Sequence, residues 1–208
     1  MARKLHPAGA MNLYTLVVFV HVASATVLVG GTVSSPFVRS AMRRARTVEE
    51  VSAWVDFMRR SARANPAVAM VLLATGLYLG TAGWWSSGWF LVAVALWVLN
   101  GAWGARVLGA EGERIGRLAA ELPAGPVPAA LDEARRSDRL DLASNVMLGA
   151  DAAVLFSMIT KPSWPLAVAV AALGVGGGVA LRALSRRVQT LAPARREWAG
   201  SQSEVAER

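Results

Sequence analysis

Residues 11–46 read MNLYTLVVFVHVASATVLVGGTVSSPFVRSAMRRAR. An apolar run from about Met11 to Val33 meets an abrupt arginine cluster after Pro36. This junction sets the fold, because the same alternation continues along the whole chain. Pro36 to Asn65 carries Arg39, Arg43, Arg44, Arg46, Arg59, Arg60 and Arg63. The next polar gap, Thr81 to Gly88, carries no charge at all. Six arginines follow between Arg106 and Asp141, only Lys161 in the gap after that, and six more from Arg182 onward. Nineteen of the 22 basic residues therefore fall on one side of a zigzag. Basic residues are retained on the cytoplasmic side of a membrane, so the pattern predicts a multi-pass protein with its N-terminus outside and its C-terminus inside.

Five apolar spans are expected: about Met11 to Val33, Pro66 to Gly80, Trp89 to Leu108, Leu142 to Thr160 and Pro165 to Leu184. Most approach the roughly 20 residues that a helix needs to cross about 30 Å of hydrocarbon. The second is short, and its helix is expected to begin before Pro66, since proline is tolerated inside membrane helices. Arg3 and Lys4 before the first span imitate a signal peptide. The seven arginines behind it argue for an uncleaved helix. The predicted fold is all-α: a bundle of five transmembrane helices in one domain, residues 11–192. Residues 1–10 are expected outside and a polar tail, 193–208, inside.

Composition agrees. Hydrophobic residues make up 54% of the 208, and mean hydropathy is +0.40. A net charge of +8 suits anionic lipid headgroups. It does not suit nucleic acid, because the arginines cap apolar spans and no aromatic-interleaved basic motif occurs. Absence of cysteine excludes disulfides, thiolate metal sites and covalent haem attachment. Trp84, Trp85 and Trp89 around one short gap and Trp164 in the other form an aromatic belt at one interface.

Between the spans, helical segments are expected at about residues 37–65 and 107–141. Thr47-Val48-Glu49-Glu50 reads as a capping box. Val48, Val51, Trp54, Val55 and Met58 follow at helical spacing. Pro123 to Pro128 breaks the second segment.

Three polar groups fall deep within the spans. Counted from each span's outer edge at about 1.5 Å per residue, His21 lies about 12 Å in, Asn100 about 16 Å and Asp151 about 15 Å. An aspartate in hydrocarbon costs about 2.5–3.5 kcal/mol. Asp151 is therefore expected to face inward, with His21 as its bonded or water-linked partner and Asn100 nearby. Each also has a plain use as an interhelical hydrogen bond. Gly76 and Gly80, and Gly174 and Gly178, match the small-xxx-small spacing of close helix packing, inside the bundle or against another subunit. Gly174 to Gly178 is no phosphate loop, since no lysine-serine or lysine-threonine follows. No catalytic motif, zinc-binding helix motif or internal repeat is present.

His21, Gly31 and Pro36 place a histidine in the first span, a glycine ten residues on and a proline where the helix is expected to exit. Phe19 to Pro36 resembles the first helix of small bacterial membrane proteins of the copper-resistance-D type, and is similar to that of the J-type protoporphyrinogen oxidase. A wider resemblance is to a family of predicted bacterial integral membrane proteins classed as a domain of unknown function. Thr75-Gly76-Leu77-Tyr78-Leu79 and Met158-Ile159-Thr160-Lys161-Pro162 have similar counterparts there. The likeness covers roughly Met11 to Pro162, with the fifth span as an addition. It implies a four-helix core and, through the oxidase relatives, haem b at His21. The lysine and second histidine of the oxidase pattern are absent from the third span, so oxidase activity does not carry over. A second iron ligand is left open: none, Met147 or Met158, or His21 of a second protomer.

Three functions follow as expectations for a cytoplasmic-membrane protein. One is a non-catalytic subunit or scaffold, alone, as a homo-oligomer or in a larger membrane complex. Another is a haem- or metal-binding protein using His21. The third moves protons or small solutes past His21 and Asp151.

Overall fold

The computed structural model describes residues 12–206, with side chains as far as Arg186. The expected segment 1–10, including His6, lies outside the described residues. The described residues form seven α-helices, in chain order α1 (Leu13–Arg44), α2 (Val48–Gly80), α3 (Gly88–Gly104), α4 (Ala110–Ala120), α5 (Ala129–Arg135), α6 (Asp138–Thr160) and α7 (Trp164–Ala206). A π-helical turn, Ala105–Gly109, joins α3 to α4. Among the described residues there is no β-strand, only a single bridge between Thr47 and Pro126. Among the described residues, five helical stretches are long and apolar enough to cross a membrane.

The helices outrun the apolar spans. α1 does not end at Pro36 but continues to Arg44. Proline removes one backbone donor, and the turns beyond it are held by side-chain bonds described below. α2 is one helix through Pro66, combining the amphipathic segment with the second span. It starts at the expected capping box. The Glu50 amide donates to Thr47 Oγ1 at 3.3 Å, and Glu50 Oε2 accepts from the Arg46 amide at 2.6 Å. The segment expected as a polar tail from 193 is a continuation of α7.

Burial divides the molecule into two regions of different physics. At the arginine-rich end, Met42, Val51, Ile115, Leu131 and Leu140 are fully buried where α1, α2, α4, α5 and α6 converge. That is a small core of the kind water drives together. Within the spans little is buried: from Asp56 to Leu79, α2 buries nothing. Lipid is as apolar as leucine, so packing there must come from close contact and polar bonds.

Both kinds of contact are present. α6 and α7 touch backbone to backbone: a Cβ added to Gly174 would come within 2.7 Å of the Ala153 Cβ, and one on Gly178 within 2.7 Å of the Asn145 and Val146 backbone. Polar bonds join α1 to α6 at the arginine-rich end. Arg39 and Arg43 pair with Asp141, which Arg182 of α7 also reaches at 3.2 Å. Arg39 Nη1 donates to the Leu140 carbonyl at 2.7 Å. Arg182 and Arg186 pair with Asp138. Arg135 donates to the Met42 and Ala45 carbonyls, both at 2.7 Å, capping the end of α1. One turn deeper, the Ser35 and Ser144 hydroxyls meet at 3.3 Å.

At the tryptophan-rich end the arrangement opens. α1 rests on α2, and α3 and α6 rest on α7, but a cavity separates the first pair from the second. Trp84, Trp89 and Phe90 stack edge to face there, with Trp84 and Trp89 centroids 5.4 Å apart and Trp89 and Phe90 5.8 Å apart.

Candidate functional site

The cavity has a volume of about 360 Å³ and is walled by α1, α2, α3 and α6. That is within the usual size of small-molecule sites, roughly 300–1,000 Å³. Its lining is mainly aliphatic and aromatic, with Val18, Leu28, Trp89, Phe90 and Trp97 among the side chains. Three ionisable residues other than tyrosine reach it: His21, Asp151 and Lys161. An apolar space with a few convergent polar groups is the general form of a ligand site.

His21 is held by α2. Its Nδ1 lies 3.0 Å from Thr75 Oγ1. The Thr75 hydroxyl proton is already committed to a carbonyl of its own helix, Val71 O at 2.7 Å or Leu72 O at 3.0 Å. The Thr75 oxygen is thus left as the acceptor, and His21 Nδ1–H is the donor. This network assigns the tautomer: Nε2 carries the lone pair. Gly76 makes room for the ring, since a Cβ there would stand 3.1 Å from His21 Cε1. An imidazole fixed through one nitrogen, with the other free beside a cavity, is how proteins present histidine to a metal.

Asp151 is held by α3. Asn100 Nδ2 donates to Asp151 Oδ1 at 2.8 Å and stands 3.4 Å from the Met147 carbonyl. On the α1 side its neighbour is the Thr32 hydroxyl. Asp151 and His21 therefore line one cavity without hydrogen bonding to each other. Of the two expected forms, the direct bond is not made: His21 bonds Thr75 and Asp151 bonds Asn100. The reason lies in register. Counting from each span's own edge ignores how helices slide past one another. α6 meets α1 near Thr32, eleven residues and about 16 Å along the helix from His21.

The expected packing glycines take separate positions. Gly76 faces His21, and Gly80 faces Phe90, with a would-be Cβ at 2.7 Å from that ring. Gly174 and Gly178 face α6 within the chain, whereas Gly176 and Gly177 have nothing within 4 Å. Of the two methionines considered as ligands, Met158 lines the cavity. Met147 packs on α3, its Sδ 2.9 Å from where a Gly104 Cβ would be.

Sequence reasoning missed Thr75, Trp97 and Lys161 as site residues. For Thr75 and Lys161 the signal was present in the two quoted motifs, whereas Trp97 lies in neither. Thr75 bonds His21, and Gly76, Leu77 and Leu79 line the cavity, as do Met158 and Lys161. Two stretches some eighty positions apart thus converge on one space. For haem b, which the resemblance implies, the donor chemistry fits. His21 Nε2 is free, its other nitrogen is anchored, and the walls are aromatic and apolar. Among the described residues no group of three or more histidine, cysteine, aspartate or glutamate side chains could hold a bare metal ion.

No curated protein and no solved structure matches this chain. One family model does, the predicted integral membrane protein family DUF2269, over residues 15–162. The match spans α1 to the end of α6, both cavity motifs included, and leaves out α7. The chain belongs to this family of predicted integral membrane proteins.

Proposed function

We propose that this protein binds an apolar ligand within the cytoplasmic membrane, using His21 Nε2 as the polar contact, and that it acts by binding rather than by catalysis. The observation that carries the reading is the cavity lined by an imidazole that Thr75 holds through Nδ1. A purely structural bundle has no use for such a space. Helices in lipid gain stability from close contact, and here the α1–α2 pair stands off α3 and α6 beside the cavity while α6 and α7 touch.

Orientation follows from the arginines: α1 starts outside, and the arginine core lies in the cytoplasm. The cavity then opens toward the outer leaflet. Haem b is a cofactor that this lining would suit: His21 on α1 would hold its iron, and Met158 on α6 would be a further donor across the cavity. When bound, haem supplies electron-transfer chemistry. Thr75 keeps the imidazole in the right tautomer, and the aromatic wall excludes water.

The test is an absorption spectrum of protein purified from cells supplied with a haem precursor, with extraction and mass analysis of whatever co-purifies. A Soret band that disappears in His21→Ala and survives in Asp151→Asn supports haem. A colourless protein with a stoichiometric apolar molecule, released by His21→Ala, supports the cavity with another ligand. Protein that carries nothing, and whose tryptophan emission responds to no apolar probe, overturns the reading.

A further inference from the structure

The rim of the cavity carries a cation with no charge to answer it. Lys161 follows the last turn of α6 in a left-handed conformation, φ 47° and ψ 57°. It is the one non-glycine residue with positive φ among those described. Its amide still donates to the Ser157 carbonyl at 2.9 Å. This turn carries the side chain back over the cavity wall rather than away from it. The ammonium lies 4.2 Å from the Trp84 ring centroid and 5.9 Å from that of Trp89, both lining residues. No carboxylate of the described residues lies within ion-pair distance of it. Neither loop at this end has another charged residue.

A plainer role exists. A lysine after a helix complements the dipole and can reach for the headgroups. That role needs no particular rotamer and gives no preference among guests. The observed placement does more: it sets the one lysine or arginine that the described residues have at this end on the aromatic wall of an apolar space. Indole faces attract the ammonium but leave its remaining protons free for an acceptor.

We propose that the ligand is an amphiphile with an anionic head, a carboxylate or phosphate that pairs with Lys161, and an apolar body lying along α6 toward Asp151. This rests on the cavity reading above and adds the chemistry of the ligand's polar end. Lys161 and Asp151 are ten residues apart on α6, so the body has about 15 Å of wall. A single-chain acid and a haem with its two carboxylates share this chemistry.

Matched acid and ester pairs test it. The full chain is placed in nanodiscs of phosphatidylcholine, which carry no net charge. It is titrated with 12-bromododecanoate and its methyl ester, then with haemin and its dimethyl ester. Quenching of tryptophan emission reports binding, because Trp84, Trp89 and Trp97 line the cavity. Affinities are expressed against ligand concentration in the bilayer, so that partitioning cancels. Within at least one pair the acid should bind about tenfold tighter or more, the worth of a charge-assisted hydrogen bond. Lys161→Gln should erase that preference and Lys161→Arg keep it. The pair that shows the preference identifies the source. Equal binding of acid and ester in the wild type overturns the anionic head and leaves the cavity standing. A preference that survives Lys161→Gln also overturns it. Binding of none of the four compounds overturns the cavity reading itself. If Lys161→Gln fails to fold, the wild-type ratio and Lys161→Arg decide.

Discussion

Substituting Gly178 and Gly176 by alanine, one at a time, should have opposite effects. On Gly178 the new methyl group points at α6, 2.7 Å from the Asn145 carbonyl carbon and the Val146 Cα. The Asn145 carbonyl oxygen is closer still, and ordinary contact begins at 3.4 Å, so the helices must part by about an ångström. Backbone atoms have no rotamer to escape into. Overpacking of this kind costs about 1–3 kcal/mol. On Gly176 the methyl group meets nothing within 4 Å. There the change only improves helix propensity, by up to about 1 kcal/mol. The two variants should therefore differ by about 1–4 kcal/mol, with opposite signs relative to the wild type. For a chain of this size each kcal/mol moves the midpoint by about 2–4 °C. Thermal unfolding in detergent, followed by tryptophan emission, is the assay. Equal shifts, or a neutral Gly178→Ala, would refute the backbone contact between α6 and α7. Loss of an oligomer in Gly176→Ala alone would show that the open glycine face packs against a second chain.

Asp141→Asn should be the most damaging polar change, because it removes the charge that Arg39, Arg43 and Arg182 share; a cost of about 3–5 kcal/mol is expected for uncovering buried charge, read as lost thermal stability in detergent. A double-mutant cycle of Asn100→Ala with Asp151→Ala should give a coupling near 0.6 kcal/mol and no more than about 1.7 kcal/mol. The same cycle of His21→Ala with Asp151→Ala should give none, and a coupling as large as the first would mean that the two side chains pair after all. A reporter inserted at Ser86 should read as external and one fused after Arg186 as cytoplasmic; the reverse pattern would refute the orientation drawn from the arginines.

What the sequence determined was everything governed by transfer between water and lipid. Five apolar spans, the arginines gathered at one end and the belt of Trp84, Trp85, Trp89 and Trp164 at the other follow from one-body preferences of each residue for its surroundings. Those preferences add along the chain and need no knowledge of neighbours. The capping box at Thr47 is likewise local, complete within four residues. Register and contact were not legible in this way. That Asp151 meets Asn100 and Thr32 while His21 meets Thr75 depends on how far α1 slides along α6, and a rise per residue does not contain that offset. Whether a glycine faces a neighbour or open lipid separates Gly174 and Gly178 from Gly176 and Gly177, and the spacing alone is blind to it. The cavity belongs wholly to tertiary structure. It exists because α6 and α7 close on glycine contacts, and arginine–aspartate pairs tie α1 to α6 only at one end. At the other end, among the described residues, no ion pair draws α1 and α2 onto α3 and α6, only the contact of Gly80 with Phe90, and the space beside His21 stays open.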